Sequence, residues 1–229
     1  MRFLGIAALA AMLLALVGCG SDHGGGPTNM RLKLVSLVPD AGLSQLYWKG
    51  APVSPRPLEY REDSGYQSRN SGRGNADLYV IDLGTVASEF LWLTTDGEYS
   101  LFGVGSVALG NTELVRVIDD TRPAVDKYKV RIFHGTSAAP PVDVYITDVN
   151  TDLEDVAPNF PSMSFRMASG YVERGPGTYR VRFTAPGTKT VLLDTGVLEG
   201  LAGQVFTVAV SGEPSVGAPL RTLLLTDRR

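Results

Sequence analysis

One cysteine and two histidines are all the soft metal-binding and thiol chemistry in 229 residues. A lone cysteine forms no internal disulfide, and together these residues cannot assemble an ordinary zinc site. No G-x-S-x-G or comparable nucleophile elbow occurs, so a serine hydrolase of that kind is not indicated. Charge of one sign is also missing: 21 Lys and Arg stand against 24 Asp and Glu, a net of −3. That balance excludes a basic nucleic-acid footprint and a polybasic membrane patch, so no nucleic-acid partner is expected. Beyond residue 30 no apolar pattern holds a helical period over three turns, and 26 Gly with 14 Pro oppose long helices.

The chain is nonetheless 44% apolar, enough for real cores. Its Val, Tyr and Thr gather in short runs bounded by Gly, Pro, Asn and Asp, which predicts strands and turns. The body is expected to be all-β. About 200 residues allow one large sandwich or two small ones.

The single cysteine, Cys19, ends an unusual start. Arg2 is followed by the unbroken apolar run Phe3 to Val17, too short to span a bilayer and suited to the core of a secretory signal peptide. Leu16-Val17-Gly18-Cys19 resembles the bacterial lipoprotein box. That resemblance implies a signal peptide over 1–18, lipidation of Cys19, and a membrane held through its acyl chains. Loss of Arg2 then takes the net charge to −4. Gly20, not Asp, follows the cysteine, which by the same analogy points to the outer membrane, on a face left open. Residues 19–29, with three consecutive glycines, read as a flexible tether; His23 there is polar filler.

An internal repeat decides between one sandwich and two. "LKLVSLVPDAGLSQLY" (32–47) matches "VRIFHGTSAAPPVDVY" (130–145) without a gap. Ser64-Gly65-Tyr66 matches Ser169-Gly170-Tyr171, "GNADLYVID" matches "GPGTYRVRF", "YSLFGVG" matches "FTVAVSG", and "LVRVIDD" matches "RTLLLTD". The offsets are 98, 105, 101, 107 and 107, drifting only where loops belong. Two tandem β-sandwich domains, immunoglobulin-like or similar, are expected over 30–121 and 127–229. The linker at 122–126 lies in a polar stretch, 119–127, where proteolysis is expected, and the second copy is expected to fold alone. In "YRVRF" the arginines at 180 and 182 are expected in water, opposite Tyr179, Val181 and Phe183. Likewise Asp143 and Tyr145 lie opposite Val142, Val144 and Ile146.

The second copy resembles the exported bacterial family called domain of unknown function 4397. The resemblance lies in Val130 through Tyr145, in Ser169-Gly170-Tyr171, in Gly175 through Phe183, and in the leucines 223–225 before Asp227. The first copy is degenerate: Ser36 stands where the family has His, and Gln45 where it has Asp. The family implies an exported β-sandwich module and no activity.

Few residues invite chemistry. His134 ends a strand and is expected to hydrogen-bond across the Pro-rich turn that follows. "GVGSVA" (103–108) spells a dinucleotide loop but lacks the strand-helix setting and reads as a hairpin. Asp148, Asn150 and Asp152, with Glu154 and Asp155, have the spacing of a calcium loop, yet Leu153 and Asn159 replace the glycine and the closing glutamate. An exposed acidic loop is the expected reading. Residues 60–75, with Tyr60 and Tyr66, read as an exposed loop, and Trp48 and Trp92 as core.

No catalytic residue, metal or cofactor is assigned. The expected role is non-catalytic: a binding or structural lipoprotein of the cell envelope, its partner an envelope protein or a glycan. The alternatives are an envelope hydrolase and a calcium-assisted binding module. The mouth of each sandwich separates them, since a concave pocket with paired carboxylates favours an enzyme and a flat aromatic face favours binding. Cys19→Ala is expected to abolish labelling by palmitate and leave the chain uncleaved or soluble; label persisting on the variant would remove the lipoprotein assignment.

Overall fold

Alternating side chains between tight turns make strands, and strands account for most of the fold. The computed structural model describes residues 28–228; Cys19 and the apolar run before it lie outside them. The first copy comprises β1 (Asn29–Ser36), β2 (Ser44–Trp48), β3 (Ala51–Pro52), β4 (Gln67–Asn70), β5 (Gly72–Val80), β6 (Gly84–Leu93), β7 (Glu98–Val104) and β8 (Glu113–Ile118). The second comprises β9 (Tyr128–His134), β10 (Val142–Asp148), β11 (Phe160–Met163), β12 (Val172–Arg174), β13 (Gly177–Thr184), β14 (Val191–Asp194), β15 (Leu198–Gly200), β16 (Val205–Glu213) and β17 (Ala218–Arg228). A single 3-10 turn, Pro214–Val216, is the only helical element among the described residues.

Each copy is a two-layer sandwich, and the two repeat one topology. The inner sheets run β4-β1-β7-β8 and β12-β9-β16-β17; the outer sheets run β3-β2-β5-β6 and β11-β10-β13-β14, with β15 also on β13. In both inner sheets the first strand lies parallel to a late one. Leu32 faces Tyr99, and Val130 faces Phe206, so the residues matched in the sequence repeat are matched in register. Two blocks are exceptions. In the outer sheets Leu46 faces Leu78 while Val144 faces Phe183, so "GNADLYVID" and "GPGTYRVRF" are four residues out of the register read in sequence; the closing blocks slip by one. Ile118 faces Tyr99 while Thr226 faces Phe206, which makes Asp119 the counterpart of Asp227, one residue away from the pairing read in sequence. A register shift in the β16–β17 ladder accounts for the slip.

The first core gathers Leu32, Leu34, Leu46, Trp48, Leu78 and Leu101, and the second Val130, Ile132, Val144, Val181, Phe183 and Val208. A third core belongs to neither copy. Val35, Leu37, Phe102, Val104 and Val117 of the first pack against Phe133, Ala209 and Leu225 of the second. The Phe102 and Phe133 rings stack 3.8 Å apart at 18°. The two inner sheets therefore lie face to face, and their central strands are buried on both sides.

Within this layer sit two ion pairs that cross between copies in reciprocal fashion. Lys33 of the first pairs with Asp227 of the second, and Arg131 of the second pairs with Asp119 of the first. Lys33 and Arg131 occupy the same repeat position, and all four side chains are buried. Each carboxylate has the same further donors: Ser100 Oγ (2.7 Å) and Tyr66 OH (2.6 Å) on Asp119, and Thr207 Oγ1 (2.6 Å) and Tyr171 OH (3.4 Å) on Asp227. The tyrosines of the two Ser-Gly-Tyr blocks thus close the interface. Their serines do equal work, each accepting a strand N–H, from Leu34 (2.9 Å) and Ile132 (2.8 Å).

This packing changes several expectations. Tyr66 is an interface residue, and the segment around it contains β4 and β5. Residues 127–229 hold a core of their own, but isolating them would uncover Phe133, Ala209 and Leu225 and strip Arg131 and Asp227 of their partners. In the 119–127 stretch Asp119 and Thr121 are buried, so only its later residues are open to a protease. Arg182 is not in water: its guanidinium is buried against Thr147 Oγ1 (2.6 Å) and the Thr151 carbonyl (2.7 Å). Arg180 pairs with Asp194. Asp143 and Tyr145 are buried as well.

Removing one member of a buried ion pair costs about 3–5 kcal/mol, because the other charge is stranded; replacing both by apolar groups is often neutral. Lys33→Met is expected to lose about that much in urea denaturation, and Lys33→Met with Asp227→Leu to regain most of it. Equal losses in the single and double variants would show that the pair is not coupled.

Candidate binding face and cleft of the first copy

Alternation along β5 and β6 sends Ala76, Leu78, Val80, Leu91 and Leu93 into the core. The intervening residues form the outer face of the first copy. Arg73 stands opposite Trp92, Asn75 opposite Phe90, and Asp77 opposite Ser88, with Tyr47 of β2 next to Asp77. Phe90 is 68% exposed and Trp92 62%. Tyr47 and Tyr79 meet edge to face at 5.8 Å, and the Arg73 guanidinium lies 5.4 Å from the centre of the Trp92 ring. The face sets aromatic rings between polar groups, with Phe90 and Trp92 exposed and Tyr47 and Tyr79 half-buried.

The matching face of the second copy is covered at its Tyr145 end, whereas Thr178 and Glu199, which by register take the places of Arg73 and Trp92, are exposed but carry no aromatic ring. Tyr145, the counterpart of Tyr47, is 1% exposed. The stretch from this tyrosine to the Ser-Gly-Tyr block is seven residues longer there, and the added chain lies in the 149–159 loop. Leu153 is buried in it, its Thr151 carbonyl takes Arg182, and its Val156 carbonyl takes Lys189, which also lies over the Tyr145 ring.

Beside the open face, where the edges β6 and β8 approach, the first sandwich has a cleft of about 740 Å³. Trp92, Thr94, Asp96, Glu98, Arg116 and Ile118 line it, with Asp119 to Arg122 of the linker, Arg31 and Arg228. Most of its acids are engaged. Glu98 pairs with Arg31 and accepts from Thr121 N (3.0 Å) and Oγ1 (2.6 Å); burial would raise its pKa, but these donors hold it below the ordinary value. Asp120 pairs with Arg122 and Lys129, and its carboxyl is held far below the usual range, first by Arg122. Burial pushes Asp119 above that range against the pull of Arg131, Tyr66 and Ser100. Burial, then the charges of Asp119 and Asp227, keeps the Tyr66 phenol protonated and donating.

The other candidates resolve into structural roles. Trp48 is core, its Nε1–H donating to the Asn70 carbonyl at 2.8 Å, whereas Trp92 is exposed, against expectation. Residues 103–108 enter a turn whose donors are taken by Asp40: Ser106 Oγ (2.6 Å), Val107 N (2.9 Å) and Ala108 N (2.8 Å) all reach its carboxylate. Asp143 accepts from Ser162 N (2.7 Å) and Gly187 N (2.8 Å), pinning two loops. Among the described residues no three acids, histidines or cysteines converge as a metal site, so the carboxylates of 148–155 are not brought together. Phe90 and Arg116 went unnoticed in the sequence; "FLWL" carried the signal for Phe90, since leucines at 91 and 93 turn Phe90 and Trp92 to the other face.

His134 bonds across the turn as expected, its Nε2 3.3 Å from the Pro140 carbonyl, while Nδ1 is buried without a partner. Burial lowers its pKa. The neutral ring is favoured in the folded state, so its contribution is present above the unfolded value of about 6.5 and is lost as pH falls through the folded value. Urea midpoints are expected to drop on acidification below about pH 6.5, by at most about 1.4 kcal/mol per pH unit from this residue, and His134→Gln to flatten that slope. An unchanged slope in the variant would assign it to other groups.

Fold and site together define an all-β protein of two face-to-face sandwiches with an open aromatic face. The family described as Domain of unknown function (DUF4397) matches residues 30–145 and again 128–229, and the chain belongs to that family. No curated protein matches it. Among solved structures, the crystal structure of CBMbc (family CBM26) from Eubacterium rectale Amy13K in complex with maltoheptaose is similar at 12% identity, covering 88% of this chain and 98% of that one. Its TM-score is 0.26, a likeness that bears on neither fold nor ligand.

Proposed function

We propose that this chain is a cell-envelope lipoprotein, anchored through Cys19 at the outer membrane, that binds a partner without transforming it. The open outer sheet of the first copy carries that reading. A pair of exposed aromatic rings on one strand is costly to leave in water, and rigid aromatics among adaptable polar groups suit recognition. In the second copy the same sheet has Tyr145 covered and no aromatic ring at the positions of Phe90 and Trp92, so the exposed aromatic pair is a property of the first copy and not of the fold. The hydrolase alternative is less well supported. Of the four carboxylates lining the cleft, Glu98, Asp119 and Asp120 are committed to cations, which leaves no evident acid-base pair. Anchoring rests on the apolar run and the lipoprotein box.

Truncating an anchor at the centre of an interface costs about 2 kcal/mol or more, some thirtyfold in affinity. Phe90→Ala and Trp92→Ala are each expected to cut retention on immobilised envelope fractions by at least about tenfold while leaving the urea midpoint nearly unchanged. Retention equal to the unaltered chain in both variants would remove this face from the proposal.

A further inference from the structure

We infer that the cleft beside the open face takes an acidic sugar, with a pyranose ring against Trp92 and its carboxylate or phosphate against Arg116 and Arg228. This deepens the binding role proposed above and rests on it. The charges in the cleft point to an anion. Arg31 and Arg122 are neutralised by Glu98 and Asp120. Arg116 reaches only the Trp92 carbonyl, at 3.4 Å, and neither it nor Arg228 forms an ion pair among the described residues. Of the carboxylates in the lining, Asp96 alone lacks a cation there. Two free guanidinium groups against one free carboxylate leave an unmet demand for negative charge, in the planar geometry that suits carboxylate and phosphate.

The ring comes from Trp92. Arg73 lies over the indole but does not line the cleft, so the ring's other side is available to a ligand. Ile118, 67% exposed, extends the apolar wall, and the Thr94 hydroxyl, paired with the Tyr99 phenol at 2.8 Å, borders it. An apolar plane flanked by a few convergent polar groups is the ordinary make-up of a small-ligand site. Arg228 belongs to the second copy, so the cleft is complete only when both copies are packed together. The chain's net negative charge repels acids at long range, so the local pair of arginines must provide the attraction, and binding should weaken with salt.

Two tryptophans make the test direct, since Trp48 is buried and only Trp92 faces solvent. The full chain in detergent would be titrated with oligogalacturonate, with a hexose 6-phosphate and with a neutral oligosaccharide, following emission and, in parallel, calorimetry. Saturable binding of an acidic probe is expected, with the neutral probe at least about tenfold weaker. Arg116→Gln is expected to lose about tenfold, and Trp92→Phe to lose the emission change. A response to the uronate alone assigns a carboxylate sugar, and one to the phosphate alone a phosphosugar; either supports the inference. Neutral and acidic probes binding alike would overturn the acidic class and leave the binding role standing. Failure of every probe, with Phe90→Ala still reducing envelope retention, would overturn the cleft site alone; failure of both would overturn the role as well.

Discussion

Two fully buried cations in this molecule have equally buried counter-charges in the other half of the chain. Lys33 needs Asp227 and Arg131 needs Asp119, so neither inner sheet can be withdrawn without stranding charges in apolar surroundings. Much else in the fold serves that arrangement. The Ser-Gly-Tyr blocks exist to bring a phenol to each carboxylate and a hydroxyl to each strand. The central strands are buried on both faces because both faces are covered. Apolar packing supplies the attraction, and the ion pairs set the alignment, since a slip of one residue would turn the charges toward the wrong partners.

The repeat, the all-β class and the turn held by His134 were legible in the sequence because they depend on local pattern. The layer between the copies was not. A basic residue alternating with apolar ones reads as a strand with one wet face, and Lys33, Arg131 and Arg182 all carry that pattern. Burial there is decided by what lies across the sheet, which for Lys33 is Asp227, 194 residues further along the chain. The clue was present in retrospect: both copies place a cation at the same position of the first strand and end on an aspartate. The one-residue slip between Asp119 and Asp227 hid their equivalence. Trp92 misled for the opposite reason, since a large aromatic among leucines reads as core unless the alternation is counted residue by residue.

The two copies have diverged where packing leaves them free. The inner sheets constrain each other through the shared core, so their registers agree. Each outer sheet packs on the core of its own copy. One has a longer loop that covers Tyr145; the other leaves Phe90 and Trp92 exposed and Tyr47 and Tyr79 half-buried. A duplicated domain can in this way hold one half to scaffolding while the other presents a surface.

The placement of β1 has a mechanical side. It enters the inner sheet from the amino-terminal end and lies between antiparallel β4 and parallel β7, in register with four residues of the one and six of the other. Tension arriving at Asn29 runs along this strand, not across it. The ladders on both sides would be loaded in shear, so their bonds must give way together and cannot peel singly. The strand that carries Lys33 into the interface is also the one best placed to resist a pull.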